Sequence, residues 1–202
     1  MIKISAIAIG VLLEMAMAVQ PSIAQDNVPE FGVKAGLNFA NFSWDIPEGS
    51  FETVSIIKFG VSGIVRYPLS ELLDAQVELM YLQKGAKFEE TKWNFDYLSI
   101  PVLVRFNFSS EDASTYIVAG PEIGFLLSAK FENSGAEEDI KDVVKSIDLG
   151  LNIGAGVSVN MGATPMFWEI RYSLVLSNWI DDPNVENSAK NRGFQLLIGM
   201  MF

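Results

Sequence analysis

The chain has 202 residues, a formal net charge of −11, half of its residues apolar, and neither cysteine nor histidine. That length fits one domain, and the missing residues remove disulfides, thiolate chemistry, the Ser-His-Asp arrangement and most transition-metal ligand sets. The acid excess excludes nucleic acid as a partner, since phosphates demand clustered Lys and Arg; no cofactor is expected.

Residues 1–24 read as a cleaved signal peptide. Lys3 supplies the positive start, 4–13 the apolar core, and Ser22-Ile23-Ala24 a small-x-small cleavage site before Gln25, with Ala16-Met17-Ala18 as an earlier candidate. The apolar run is about half the ~20 residues that a spanning helix needs. There is no lipid-attachment cysteine, so the chain is not read as a lipoprotein. Residues 25–202 form the second unit, a barrel domain.

Eight segments with a two-residue period follow, at 31–42, 56–67, 72–84, 95–108, 115–131, 147–160, 166–177 and 192–202. Long links near 43–55, 85–94, 132–146 and 178–191 alternate with short ones near 68–71, 109–114 and 161–165. Such alternation predicts an all-β fold, an eight-stranded antiparallel up-and-down transmembrane β-barrel. In the first segment Phe31, Val33, Ala35, Leu37 and Phe39 oppose Gly32, Lys34, Gly36 and Asn38. In the second, Ile57, Phe59, Val61, Val65 and Tyr67 oppose Lys58, Gly60, Ser62 and Arg66. The sixth is the strictest, with Ile147, Leu149, Leu151, Ile153, Ala155, Val157 and Val159 on one face and Asp148, Gly150, Asn152, Gly154, Gly156, Ser158 and Asn160 on the other. The last two segments repeat the pattern, and the chain ends on Phe202, the expected terminal aromatic signal for barrel assembly.

Alternation alone does not say which face is inside; a soluble lipocalin-like barrel would turn its apolar face inward. Ten of the 16 glycines share the polar face. Glycine weakens a strand and has no use on a watery face, whereas eight strands leave a lumen barely wide enough for side chains. The polar face is therefore expected inside. Arg or Lys on the lipid face would cost about 2–4 kcal/mol at the bilayer midplane, and the charged residues avoid that parity. Inside, the acids Glu78, Glu122, Asp148 and Glu169 are expected to pair with Lys34, Lys58, Arg66, Arg105 and Arg171 as a structural network. Phe42, Trp44, Trp93, Phe95 and Trp179 flank the long links, where an interfacial girdle is expected, with Tyr67, Phe108 and Phe202 near the opposite rim.

Several stretches carry a resemblance to a known family. They are FGVKAGLN at 31–38, DYLSIPVLVRF at 96–106, AGPEIGFLLS at 119–128, NIGAGVSV at 152–159, EIRYS at 169–173 and GFQLLIGMMF at 193–202. In that order and spacing the chain resembles the PorT-like outer-membrane β-barrel family of Bacteroidota. The resemblance implies an eight-stranded outer-membrane barrel, and in some relatives an association with protein secretion. It supplies no catalytic residues. Pro101 and Pro121 fall inside strands and are expected to mark bulges or kinks.

Glu122 and Glu169 could serve as an acid/base pair, but a salt-bridge network with Arg105 and Arg171 is the favoured reading. Ser62, Ser128, Ser158 and Ser173 have no histidine to activate them. The acidic run 132–142 lacks the spacing of a calcium loop, leaving only weak divalent binding open. Eight strands are too few for a diffusion porin. The expected protein is thus a non-enzymatic structural or accessory barrel. Its partners are the lipid of the outer membrane, the barrel-assembly machinery, and a protein at the loops or periplasmic rim. A narrow channel or small-ligand barrel is the alternative.

Overall fold

The computed structural model describes residues 28–45, 54–109, 113–161, 164–178 and 188–202. The signal-peptide segment 1–24 lies outside them. Successive Cβ atoms of an extended chain point to opposite faces, so the two-residue period becomes strand wherever it is sustained. The strands are β1 (Glu30–Asp45), β2 (Ile56–Pro68), β3 (Leu73–Phe88), β4 (Thr91–Ser109), β5 (Ala113–Asn133), the short β6 (Ala136–Asp139), β7 (Ile147–Met161), β8 (Thr164–Val175) and β9 (Ser188–Met201). All but β6 pair antiparallel with their neighbours in sequence, β5 with β7, and β1 pairs with β9. The sheet therefore closes into an eight-stranded up-and-down barrel with no free edge in its wall, the arrangement that a bilayer requires. At the seam the final amide, Phe202 N, donates to the Phe31 carbonyl at 2.7 Å.

The outer face is an uncharged belt. Outward-facing positions within 31–39, 57–67, 75–81, 98–108, 115–127, 147–159, 166–174 and 194–202 hold no Asp, Glu, Lys or Arg. Along 98–108 the rise is ~34 Å, or ~26 Å in height at a tilt of ~40°, close to the ~25 Å apolar band of outer-membrane barrels. Ile153 sits near the middle of this belt and is 63% exposed. Replacing it with Arg is expected to destabilise the barrel by about 2–4 kcal/mol, whereas Ile153→Leu should be neutral; urea titration in lipid vesicles measures both.

The long link expected over 85–94 is a two-residue turn. The β3–β4 ladder runs on to Phe88↔Thr91, and Glu89 takes a positive φ of 53°. Beyond the belt both faces carry polar residues, so the period-two contrast fades while the strands continue. In the next link Ser134 and Gly135, with φ of 49° and 86°, fold β6 back onto β5 as a hairpin. Pro101 and Pro121 do not mark bulges. The β4–β5 register is the same at Pro101↔Glu122 and at Val104↔Ala119; the ladder omits pairs beside the prolines, which lack a donor, and resumes in phase. The register shift in this pair falls instead between Asp96 and Tyr97, opposite Leu127, and reverses the parity of the rest of β5.

Candidate functional site

The lumen is a stack of alternating polar and apolar layers. Nearest the short turns, Arg66 Nε donates to Glu30 Oε2 at 2.6 Å, and Arg66 and Arg105 flank Asp74 Oδ2 at 3.8 and 3.7 Å. Asn107 bridges them, donating to Asp74 Oδ2 at 2.9 Å and accepting from Arg105 Nε at 2.8 Å. The Arg105 guanidinium lies 3.5 Å from the centre of the Tyr116 ring, a cation–π contact. Ile64, Leu103, Val118, Phe167 and Met201 pack around this level.

The central tier is the tightest. Arg171 donates from both terminal nitrogens to Glu78, each at 2.9 Å, and reaches Glu169 Oε1 at 2.6 Å. Lys34 Nζ lies 2.7 Å from Glu78 Oε1 and 3.4 Å from Glu169 Oε1. Gln76 adds a donor to Glu78 at 2.6 Å and Tyr116 a donor to Glu169 at 3.2 Å. These four charged side chains are at most 1% exposed. Two cations face two carboxylates, as buried charge demands. Small residues make the space: a Cβ built on Gly36 would fall on the Leu196 backbone oxygen, and one on Gly120 on the Val102 oxygen.

Met80, Leu82 and Leu197 separate this tier from the loop-side one. There Lys84 Nζ lies 3.1 Å from Glu122 Oε1 and 3.8 Å from Asp148 Oδ2. Ser99 and Asn152 donate to Glu122 at 3.0 and 2.8 Å, and Asn191 and Ser177 to Asp148, each at 3.3 Å. Above it Phe42, Ala86, Phe95, Tyr97, Leu126, Ala129 and Val144 form an apolar cap, with Trp93 and Ile140 packed against them. The segment after β6 holds this cap over the mouth: Ile140 N donates to Ala129 O at 3.0 Å and Leu126 N to Ser146 O at 2.9 Å.

Of the residues selected from sequence, Lys34, Glu78, Glu169 and Arg171 meet in one tier. Arg105 pairs with Asp74 rather than Glu122, and Arg66 with Glu30 and Asp74. Lys58 stands apart near the loop rim, donating to Asn94 Oδ1 at 2.7 Å. Glu122 and Glu169 lie in different tiers and share no hydrogen-bond partner among the described residues. The cation that serves Glu122 and Asp148 is Lys84, which alternation alone did not single out; it shares the parity of Gln76 and Glu78 but falls where the third segment was expected to end. Asp74 was missed likewise.

The girdle expected at the loop end is corrected. Phe42 and Phe95 are buried in the cap, at 1% and 0% exposure, and Trp93 turns inward onto Phe131, with ring centres 5.6 Å apart. Parity decides it, since Phe42 follows Lys34 and Asn38 in β1, and Phe95 precedes Ser99 and Arg105 in β4. The Trp44 side chain and Trp179 lie outside the described residues. Tyr67, Phe108 and Phe202 do face outward near the turn-side rim.

Outside the cap, Glu89, Glu90, Glu137, Glu138, Asp139 and Asp142 are exposed, while Asp45's side chain, Glu48, Glu52, Asp181, Asp182 and Glu186 lie outside the described residues. Lys130 pairs with Glu137 at 2.5 Å, and this carboxylate, helped by Asp139, holds the ammonium above its ordinary pKa. Among the described residues no three carboxylates converge as a metal site.

A closed barrel with an uncharged outer belt and a lumen filled by paired charges is an integral membrane barrel. The chain belongs to the outer membrane protein beta-barrel domain family, which matches residues 23–181, and is an outer-membrane protein. Among solved structures it is similar to Neisserial surface protein A, with a TM-score of 0.52 at 15% identity, covering 85% of this chain and 97% of that one. That likeness shows the fold alone. Ail, the attachment invasion locus protein of Yersinia pestis, has a TM-score of 0.45 at 18% identity and covers 86% and 98%. The outer membrane enzyme PagL has a TM-score of 0.48 at 13% identity and covers 83% and 97%. No curated protein sequence matches the chain.

Proposed function

We propose that the protein is a PorT-like barrel of the Bacteroidota type, acting as a non-enzymatic structural or accessory component of the outer membrane. The observation that carries this reading is the lumen: paired charges and apolar layers occupy it, and the cap around Phe42 and Phe95 covers its loop-side mouth. Such an interior offers neither a water-filled path nor a cleft for substrate. The chain has no histidine to activate any of its serines. The nine lumen residues selected from sequence serve stability in this reading. Residues 1–24 are removed on export, and Phe202 closes the strand by which the assembly machinery recognises the barrel. The acidic loop end faces outward and meets a protein partner.

Two measurements test the proposal. The purified protein in planar bilayers is expected to give no stable conductance; stable openings would establish the narrow-channel alternative instead. Cross-linked membranes are expected to yield a partner whose recovery falls when 132–142 is deleted, and recovery unaffected by that deletion removes the loop contact.

A further inference from the structure

The short turns at 68–72, 109–114 and 161–165 contain neither Lys nor Arg. After residue 24, every cation outside the lumen tiers belongs to the loop end of the barrel. Arg192 stands out among them by its position. It is exposed and shares the outward parity of Phe194, Leu196 and Ile198 on β9. The β1–β9 register sets it opposite Asn41, and on the other side of Asn41 stands Ser55, one step beyond the Ala40↔Ile56 pair. Each of the three is the first outward position past the uncharged belt on its own strand. At the ~4.8 Å spacing of strands, their row is about 10 Å wide.

On the belt side of this row lie Phe39, Tyr172 and Phe194, the last two 40% and 43% exposed. The six residues line one shallow recess of ≈ 240 Å³ in the outer wall. The recess is therefore amphipathic along the membrane normal, with rings toward the hydrocarbon and a guanidinium, an amide and a hydroxyl toward the loops. Among the described residues Arg192 takes part in no ion pair, whereas every lumen cation does. The densest group of described acids stands on β5 and β6, and β5 is four strands round the barrel from β1. A guanidinium at the level where the belt ends is matched by an anion that the membrane itself presents.

We infer that this recess binds the phosphate of a lipid in the outer leaflet. Arg192 donates to the phosphate oxygens, Ser55 and Asn41 flank them, and the lipid chain lies over Phe39, Tyr172 and Phe194. Guanidinium and phosphate form a two-pronged, charge-assisted pair, which Arg makes better than Lys. Water would solvate Arg192 but leave the rings uncovered, and a phosphate-bearing lipid serves both. The choice of leaflet rests on the outward orientation of the loop end proposed above.

The test uses the folded full-length barrel in dodecyl maltoside micelles, with bound probe counted by native mass spectrometry. The probes are dioctanoyl phosphatidic acid, the matching dioctanoylglycerol and inorganic phosphate. Phosphatidic acid is expected to saturate one site, and the other two to bind about tenfold more weakly or worse. Arg192→Gln should raise the half-saturating phosphatidic acid concentration about tenfold, the loss of one charge-assisted contact. Lys130→Gln, which removes the same charge across the barrel, should leave it unchanged. Equal binding of dioctanoylglycerol or of inorganic phosphate, an unchanged value in Arg192→Gln, or an equal rise in Lys130→Gln would each overturn the site. Orientation is read separately, from the reaction of Glu137→Cys with a membrane-impermeant maleimide in intact cells. Reaction is expected; its absence would remove the outward orientation and the leaflet assigned here, whereas a failed titration leaves the orientation standing.

Discussion

Arg171→Met is expected to destabilise the barrel by about 3–5 kcal/mol, the cost of leaving buried charge without its partner. Arg171 alone gives Glu78 two donors and contacts Glu169, and it is 1% exposed. Without it Lys34 must serve two carboxylates in a space that excludes water. The loss should be rescued by a second change that removes one negative charge. In Arg171→Met with Glu169→Gln, Lys34 and Glu78 remain as a balanced pair at 2.7 Å, and Tyr116 keeps a neighbour at position 169. A coupling of about 1–3 kcal/mol between the two substitutions is expected, read from urea unfolding in lipid vesicles by tryptophan fluorescence. Additive losses would mean that the tier is held by packing around it rather than by charge balance.

The strands and their faces were legible because lipid imposes one environment on every second residue for the height of the belt. Where that constraint ends, so does the signal. Gly85 to Phe88 and Thr91 to Asn94 continue the β3–β4 ladder, yet their polar residues on both faces read as a loop. The bulge at Leu127 was hidden for the opposite reason: Phe125, Leu126 and Leu127 are all apolar, so a reversal of parity leaves no mark on the sequence. Which charges meet across the lumen depends on the stagger of strands, which alternation does not encode. Glu122 finds Lys84 from 38 residues away, and Arg105, closer in sequence, finds Asp74 instead. Phe42 and Phe95 were different again. Their parity already placed them inside, but proximity to the links suggested a girdle.

Gly36→Ala is expected to prevent closure of the seam or to weaken it by at least ~3 kcal/mol, the upper end of overpacking costs. Gly36 pairs with Leu197 across the β1–β9 seam and with Gly60 on β2, and its missing side chain lets the Leu196 carbonyl approach. An added methyl would meet backbone there, and a ladder cannot yield as a flexible side chain can. Gly63 supplies the contrast within the same sheet. It lies on the outward face of β2, with nothing within 4 Å of where an added methyl would sit. There alanine should stabilise by about 0.5–1 kcal/mol, because it narrows the unfolded chain's freedom without touching the fold. Heat-dependent gel mobility reports closure for both variants, and urea titration reports the energies. If Gly36→Ala closed as well as Gly63→Ala, seam proximity would not be what selects glycine on the inner face. The contrast therefore tests the premise from which the membrane register was inferred: glycine lies inside because the lumen is crowded.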